Sequence, residues 1–467
     1  MVNPSIACLD NGDIFRLLEL PSNFIVGHDD IAIMTTKPGD DGFRDIPPGP
    51  HFLWVQQLSS QKGSQGPPET QETQELHLDD QHGPAPRCGY WYVTKQSGQI
   101  RMKQWDKYNE ILGDVASQCE ADELKANIES IYPTLRTYKL RGQDQHGNSV
   151  HPSLATRFER DPPSSSGSLW HQLTWAISES FLERVTGKRT VHEWLVDSSD
   201  CVKGDTHLPL YHKTASRAYK AAVSSELNFL FSQDFPDLDL LDAHTGTHDH
   251  DSDPTDTTNR VLALLNNPSA QVTERGIVAE LQFVYVTGTQ LGNAACLEQW
   301  WELVLKIVLR TYQLLRFRPE LSRDLLRTLR AQLMHTAGYA ENPDDSERSH
   351  ETDGLSSDKP IFSSHLKNKR KLRRSLAVYK RRLNESLIEL GSQVTLNQQE
   401  LGRAFEDLEA WLWRYKWDLR SDLMEDDGGD GLETEDNEED DDDDLLPVVV
   451  DVDEDGRERG LVSFDRD

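Results

Sequence analysis

Cysteine is scarce and scattered in this chain. Its five residues (Cys8, Cys88, Cys119, Cys201 and Cys296) are odd in number, and no two stand as C-x-x-C. That usage suits a reducing compartment and offers neither a disulfide framework nor a cysteine zinc site. Long hydrophobic runs are also missing: no stretch approaches the roughly 20 apolar residues of a membrane helix. The first residues, MVNPSIACLDNGDIF, have neither the basic segment nor the apolar core of a signal peptide. Cytoplasm and nucleus are the expected settings, with no membrane contact.

Basic charge is the other deficit. Against 80 acids the chain sets 49 lysines and arginines, for a net charge of −31. The segment from Glu425 to Asp467 holds −18 of it, 21 acids against three arginines, which leaves −13 on the rest. A body that is still acidic is a poor general binder of nucleic acid, because phosphate contacts need surplus lysine and arginine. Sequence-specific contact with nucleic acid is therefore not expected. An apolar content of 36% and a mean hydropathy of −0.66 are low for one compact body, so part of the chain is expected to stay unfolded. The length of 467 residues leaves room for two or three domains.

What is present begins with strands. Phe15–Leu20, Asn23–His28, Ile31–Thr35, His51–Gln56, Tyr90–Thr94 and Ile100–Trp105 are rich in branched and aromatic residues. Turn signals such as Asp10–Asn11–Gly12, Pro38–Gly39 and Pro47–Pro48–Gly49 separate them. Short strands at this spacing predict a sandwich-like domain or small barrel over residues 1–160. Residues 59–86 have too few apolar side chains to fold and read as a disordered insertion.

Helical spacing takes over from residue 168. Leu169, Leu173, Ile177, Phe181 and Val185 share a face, and a short strand is expected at Leu227–Phe231. The centre of the chain is the stretch Thr273–Arg316, read as two apolar helices joined by a tight turn at Gly292–Asn293. Ile277, Leu281, Val284, Gly288 and Leu291 stack on the first helix; Leu297, Trp300 or Trp301, Val304, Val308, Tyr312 and Leu315 stack on the second. Asn293 is placed to cap the second helix, and Gly288 to admit a close neighbour. Further helices follow through Leu321–Leu333, through the basic stretch 367–390, and through Leu401–Leu419. The fold class is thus α+β multidomain: a β-rich domain, then an all-α domain over 168–424. A disordered insertion at 338–365 and an acidic disordered tail at 425–467 complete it.

Candidate chemistry is thin. His244-Thr-Gly-Thr-His248-Asp-His250 begins like the H-x-G-T-H-x-D-x-P-x-H signature of metal-dependent amidohydrolases resembling kynurenine formamidases. The match then fails, with His250, Ser252 and Pro254 where Asp, Pro and His belong. A solvated loop is the plainer reading, a metal site the other. No G-x-S-x-G elbow, phosphate-cradling glycine loop or H-E-x-x-H occurs. His51 reads as a hydrogen-bonded strand histidine before it reads as a base. No catalytic, cofactor-binding or metal-binding residue is therefore assigned.

Three features point to binding or control instead. Lys367–Arg382 holds nine lysines and arginines and no acid. A solvated helix face, a nuclear-import signal and a patch for RNA or an acidic partner all remain open for it. In the tail, Val448, Val449, Val450 and Val452 form a β-branched island suited to adding a strand to a partner's sheet edge. Ser252, Thr257 and Thr258 lie in an acidic loop beside a helix start, where phosphorylation would change the local charge.

Three blocks together carry a resemblance. They are GFRDIPPGPHFLWV (Gly42–Val55), RCGYWYV (Arg87–Val93) with Trp105–Asp106, and AELQFVYVTGTQLGNAACLEQW (Ala279–Trp300). The most specific pattern is Glu280, Leu281, Gln282, Phe283, Gly292, Gln299 and Trp300. The chain resembles the Aar-two family of splicing factors. That resemblance implies a β-rich domain before a helical one, and a part in building the U5 small nuclear ribonucleoprotein. It implies binding to the large central U5 scaffold protein, alongside other U5 precursor proteins, keeping the U5 RNA helicase off until maturation. Some members engage the scaffold through a C-terminal tail. Against this expectation, of a protein monomeric when free, stand an acidic nuclear chaperone for basic clients and a metal-dependent hydrolase at His244–His250.

Overall fold

The computed structural model describes residues 9–22, 24–34, 39–57, 87–95, 98–108, 110–115, 117–139, 168–189, 194–203, 226–231, 256–269, 271–338, 366–415 and 417–419. The expected insertion at 59–86, the one at 338–365 (Gly338 apart) and the tail at 425–467 lie outside these residues. The described residues belong to one compact unit.

Eight strands come first: β1 (Asp13–Leu20), β2 (Phe24–His28), β3 (Ile31–Met34), β4 (Gly39–Ile46), β5 (Gly49–Gln57), β6 (Arg87–Thr94), β7 (Ile100–Asp106) and β8 (Ile111–Gly113). Helices α1 (Gln118–Ala126) and α2 (Ile128–Ile131) and the short strand β9 (Arg136–Thr137) follow. The strands make two five-stranded sheets, ordered β8-β7-β1-β4-β9 and, with a strand from further along, β10-β6-β5-β2-β3, where β10 is Leu195–Asp197.

Period-two alternation decides what each face meets. On β5 and β6, Leu53, Val55, Tyr90 and Tyr92 point between the sheets, where they pack with Phe15, Leu17, Phe24, Val26 and Trp105. Phe52, Trp54 and Trp91 point the other way and join the core of the helices. The outer face of the first sheet is covered at Ile14 by Ile128 and Leu135. The β-sandwich is therefore covered by helical segments on both sides.

β4 was not legible as a strand. Its sequence, GDDGFRDI, carries three acids and two glycines, and its register with β1 is broken by irregularities on both sides of Phe15–Leu17. Asp45 sits at φ 62° within it. Pairing with β1 holds this segment extended, and Phe43 and Ile46 reach the sandwich core.

The helical region contains α3 (Leu169–Thr174), α4 (Glu179–Thr186), the parallel strand pair β11 (Cys201–Val202) and β12 (Glu226–Leu227), and α5 (Thr258–Leu265). The central hairpin is α6 (Glu274–Leu291) and α7 (Ala294–Glu302), running into a π-helical turn at Leu303–Val308. Helices α8 (Leu314–Phe317), α9 (Pro319–Gly338), α10 (Leu366–Leu390) and α11 (Leu396–Trp413) complete it. The α+β class stands; β12 overlaps the short strand expected at Leu227–Phe231 at Leu227 alone, and β10 and β11 are two further strands inside the stretch expected to be helical.

The hairpin forms as its sequence dictates. Thr273 caps α6 by accepting from Gly276 N, Gly292 ends it at φ 67°, and the Asn293 side chain accepts from Cys296 N to start α7. A Cβ on Gly288 would lie 2.9 Å from Leu297 Cδ2, so the bare backbone sets the helix approach. Helix α6 is buried nearly all round, from Ile277 to Gly288.

Two helices break where periodicity predicts continuity. Leu169–Val185 splits because α6 takes the end of α3: Gln282 Nε2 donates to Gln172 O, and Arg275 donates to Trp175 O and Ala176 O. Ser178 then caps α4. The second hairpin helix loosens and stops before Leu315 because Thr257 binds its carbonyls. Thr257 Oγ1 donates to Lys306 O at 2.6 Å, and Thr257 N donates to Arg310 O at 3.0 Å.

Candidate functional site

The residues of the Glu280–Trp300 pattern face inward, and each holds a different piece of the chain. Glu280 is fully buried; its carboxylate accepts from Leu230 N at 2.8 Å and from Arg184 Nη2 at 3.1 Å. Burial raises its pKa, against the pull of Arg184 and the backbone donors. Gln299 Nε2 donates to Phe231 O beside it, so Glu280 and Gln299 together fix the segment after β12.

Their neighbours work the same way. Gln282 Oε1 accepts from Ala176 N at 2.9 Å, completing its hold on the α3–α4 break. Phe283 packs between the rings of Trp91 and Phe181, at 5.7 and 5.8 Å. Trp300 Nε1 donates to Gln332 Oε1 at 2.8 Å, and Gln332 Nε2 donates back to Leu281 O. Thr287 and Gln290 accept from the indoles of Trp91 and Trp54. This pattern is a set of sockets that assembles the body around one helix.

A second polar cluster lies inside the sandwich. His51 Nδ1 lies 2.7 Å from Asp29 Oδ2, and His51 Nε2 lies 2.8 Å from Pro47 O. Asp29 Oδ2 also accepts from Tyr138 OH at 2.6 Å, and its Oδ1 accepts from Phe52 N at 2.8 Å. His28 Nε2 meets Tyr92 OH at 2.6 Å. Both His51 nitrogens face oxygens, and Pro47 O only accepts.

Electrostatics inside the cluster follow burial. Burial drives the His28 imidazole down to about 4, where it is neutral at physiological pH. Burial alone would raise Asp29, but the facing His51 and His28, with hydrogen bonds from His51 and Tyr138, hold it below its ordinary value. Burial, with Asp29 adding to it, pushes the Tyr138 and Tyr92 hydroxyls up, so both stay protonated donors. The ligand-type atoms of His28, Asp29 and His51 all lie within 4.8 Å of one another. They are nevertheless spent on hydrogen bonds that tie the β2–β3 turn to β5 and to the chain after β9. His51 is the hydrogen-bonded strand histidine that its position suggests. Its partner Asp29 was not singled out, although a His28-Asp29-Asp30 run closing an apolar strand is a legible signal.

The structure places Thr257 and Thr258 in the interior, 1% and 2% exposed. Thr258 Oγ1 donates to Asp256 Oδ1 at 2.5 Å and accepts from Gln313 N, while Thr257 is bound to Lys306 and Arg310. They stand beside a helix start as expected, at the first turn of α5, but with both hydroxyls turned inward. Ser252, His244–His250 and Val448, Val449, Val450 and Val452 lie outside the described residues.

A β-sandwich and a helical layer built around one socketed hairpin define a protein of the α+β class whose polar clusters hold its own elements together. Residues 11–187 match the AAR2 N-terminal domain, and residues 241–420 match the AAR2 C-terminal repeat region. The chain belongs to the AAR2 family, whose domains fit a role in splicing through proteins of the splicing machinery. No curated protein matches it.

Proposed function

We propose that this chain is a non-catalytic assembly chaperone for the U5 small nuclear ribonucleoprotein in pre-mRNA splicing. It binds the large central U5 scaffold protein, in company with other U5 precursor proteins, and keeps the U5 RNA helicase off until maturation. It works as a monomer when free, in cytoplasm and nucleus. The observation that carries the reading is the two-part family match, which takes in both the sandwich and the hairpin. The inward-facing polar clusters support it: they spend their chemistry on internal assembly, and exclusion of a competitor needs affinity alone.

Affinity purification of the tagged full chain from its own cells tests this. The expected catch is the U5 scaffold without the U5 helicase, and added chain should displace helicase from isolated scaffold. A catch of mixed basic proteins that is lost steeply with salt would replace the reading with that of an acidic chaperone. Phe317, Ile388 and Leu396 are exposed apolar side chains near the ends of α8, α10 and α11. Substituting each with aspartate is the first surface scan for the scaffold contact.

A further inference from the structure

Helix α10 carries its cations where they oppose its own formation. Its first turn holds no acid, so the lysines and arginines at its start face the positive end of the helix dipole. Arg370 and Arg374 stand one turn apart, a like-charge pair that repels. A merely solvated face on so acidic a chain would be expected to mix signs.

The helix is fixed to the body on its other side. Leu372, Leu376, Tyr379 and Leu383 are buried. Tyr379 bonds Ser322 Oγ at 2.9 Å and stacks on Phe405. Some cations are engaged inward: Lys380 pairs with Glu409 at 2.5 Å, and Lys369 sits over the Trp417 ring. Arg370, Lys371 and Arg374 point out, exposed and with no acidic partner among the described residues. Arg381, further along, is exposed and lies 3.9 Å from its helix neighbour Glu385. Arg370, Arg374 and Arg381 recur at steps of four and seven, a rigid ridge about 16 Å long.

We infer that this ridge, a local concentration of cations on an otherwise acidic body, holds the phosphate backbone of single-stranded RNA without reading its bases. With Lys371 beside it the ridge offers four cations, three of them arginines, whose planar fork matches phosphate oxygens. The one aromatic of the helix, Tyr379, is buried, so this face has no platform for stacking bases. Exposed cations gain little from single carboxylates in water. They gain much more from a polyanion that releases condensed counterions, which favours RNA over an acidic peptide. The inference does not depend on the scaffold reading.

Fluorescence anisotropy of the full chain with a labelled 20-nucleotide single-stranded RNA, in two scrambled sequences, tests it. Both sequences should bind alike. With four phosphate contacts, affinity should fall about 50-fold between 50 and 200 mM salt. The triple variant R370E/K371E/R374E should bind at least ten-fold more weakly, and its neutral counterpart R370Q/K371Q/R374Q intermediately, with circular dichroism unchanged. The inference is overturned if the parent fails to bind RNA at 50 mM salt or if both variants bind as the parent does. It is equally overturned if a polyglutamate peptide displaces RNA from the ridge at lower concentration than unlabelled RNA.

Discussion

The indole of Trp54 donates its Nε1 hydrogen to Gln290 Oε1 at 3.0 Å, joining residues 236 apart in the chain. A second indole bond beside it runs from Trp91 Nε1 to Thr287 Oγ1 at 3.1 Å. The second sheet and the central hairpin are thereby one piece of interior. Gln290→Ala should cost about 1–2 kcal/mol, the loss of a buried bond with an indole left unpaired. Tryptophan fluorescence and far-ultraviolet circular dichroism should shift together on urea unfolding. Separate transitions would mean the two regions unfold independently.

Glu280→Gln tests the socket. The amide keeps one acceptor for Leu230 N but turns its NH2 toward donors that both carboxylate oxygens now receive. Arg184 loses its charge partner at the same time. A loss of about 3 kcal/mol in urea unfolding is expected. Arg184→Met should cost at least as much, because it leaves the fully buried Glu280 carboxylate without its counter-charge.

His28 predicts an acid limit. Its folded pKa of about 4 lies below its ordinary 6.5, so the unfolded chain takes up the proton first. The stability it supports is full above pH 6.5 and is lost as pH falls from 6.5 toward 4. The total is about 3 kcal/mol. Asp29, held below 3.8, gives way only below that window. Glu280, raised by burial, works in the opposite sense, so the comparison with a variant isolates His28. His28→Gln, which can still accept from Tyr92 OH, should flatten the decline in urea midpoint between pH 7 and pH 5. A decline as steep as the parent's would assign it to other groups.

Gly288→Val should force α6 and α7 apart. The added Cβ meets Leu297 Cδ2 at 2.9 Å and Leu297 N at 3.2 Å, and backbone cannot step aside as a side chain can. A cost of about 1–3 kcal/mol is expected in thermal melts. Pairing the change with Leu297→Ala should recover only the side-chain part of it.

What the sequence disclosed followed the reach of its local signals. The α6–α7 hairpin was legible because Gly292 and Asn293 act within a few residues, as caps do. Strands β1, β5 and β6 were legible because branched and aromatic side chains fill both of their faces. The breaks after Thr174 and Val308 were not, since Gln282 and Thr257 impose them from 106 and 49 residues away. The candidate site shows the same limit. His51 could be read as a bonded histidine, but Asp29 and Tyr138 as its companions depend on a turn and a strand end meeting inside the sandwich. The family pattern was visible as letters, while its role as sockets emerged only once the segments it holds were placed.

Strand β10 crosses a place where one would be tempted to cut. It pairs Leu195, Val196 and Asp197 with Tyr90, Gly89 and Cys88, well beyond the apparent end of the β-rich part. A fragment of residues 1–160 would lose that strand and turn Phe52, Trp54 and Trp91 out to water. Such a fragment would cling to many apolar surfaces. Partners fished out with it would report its stickiness, and a two-hybrid or pull-down screen for this protein should use bait that retains the hairpin.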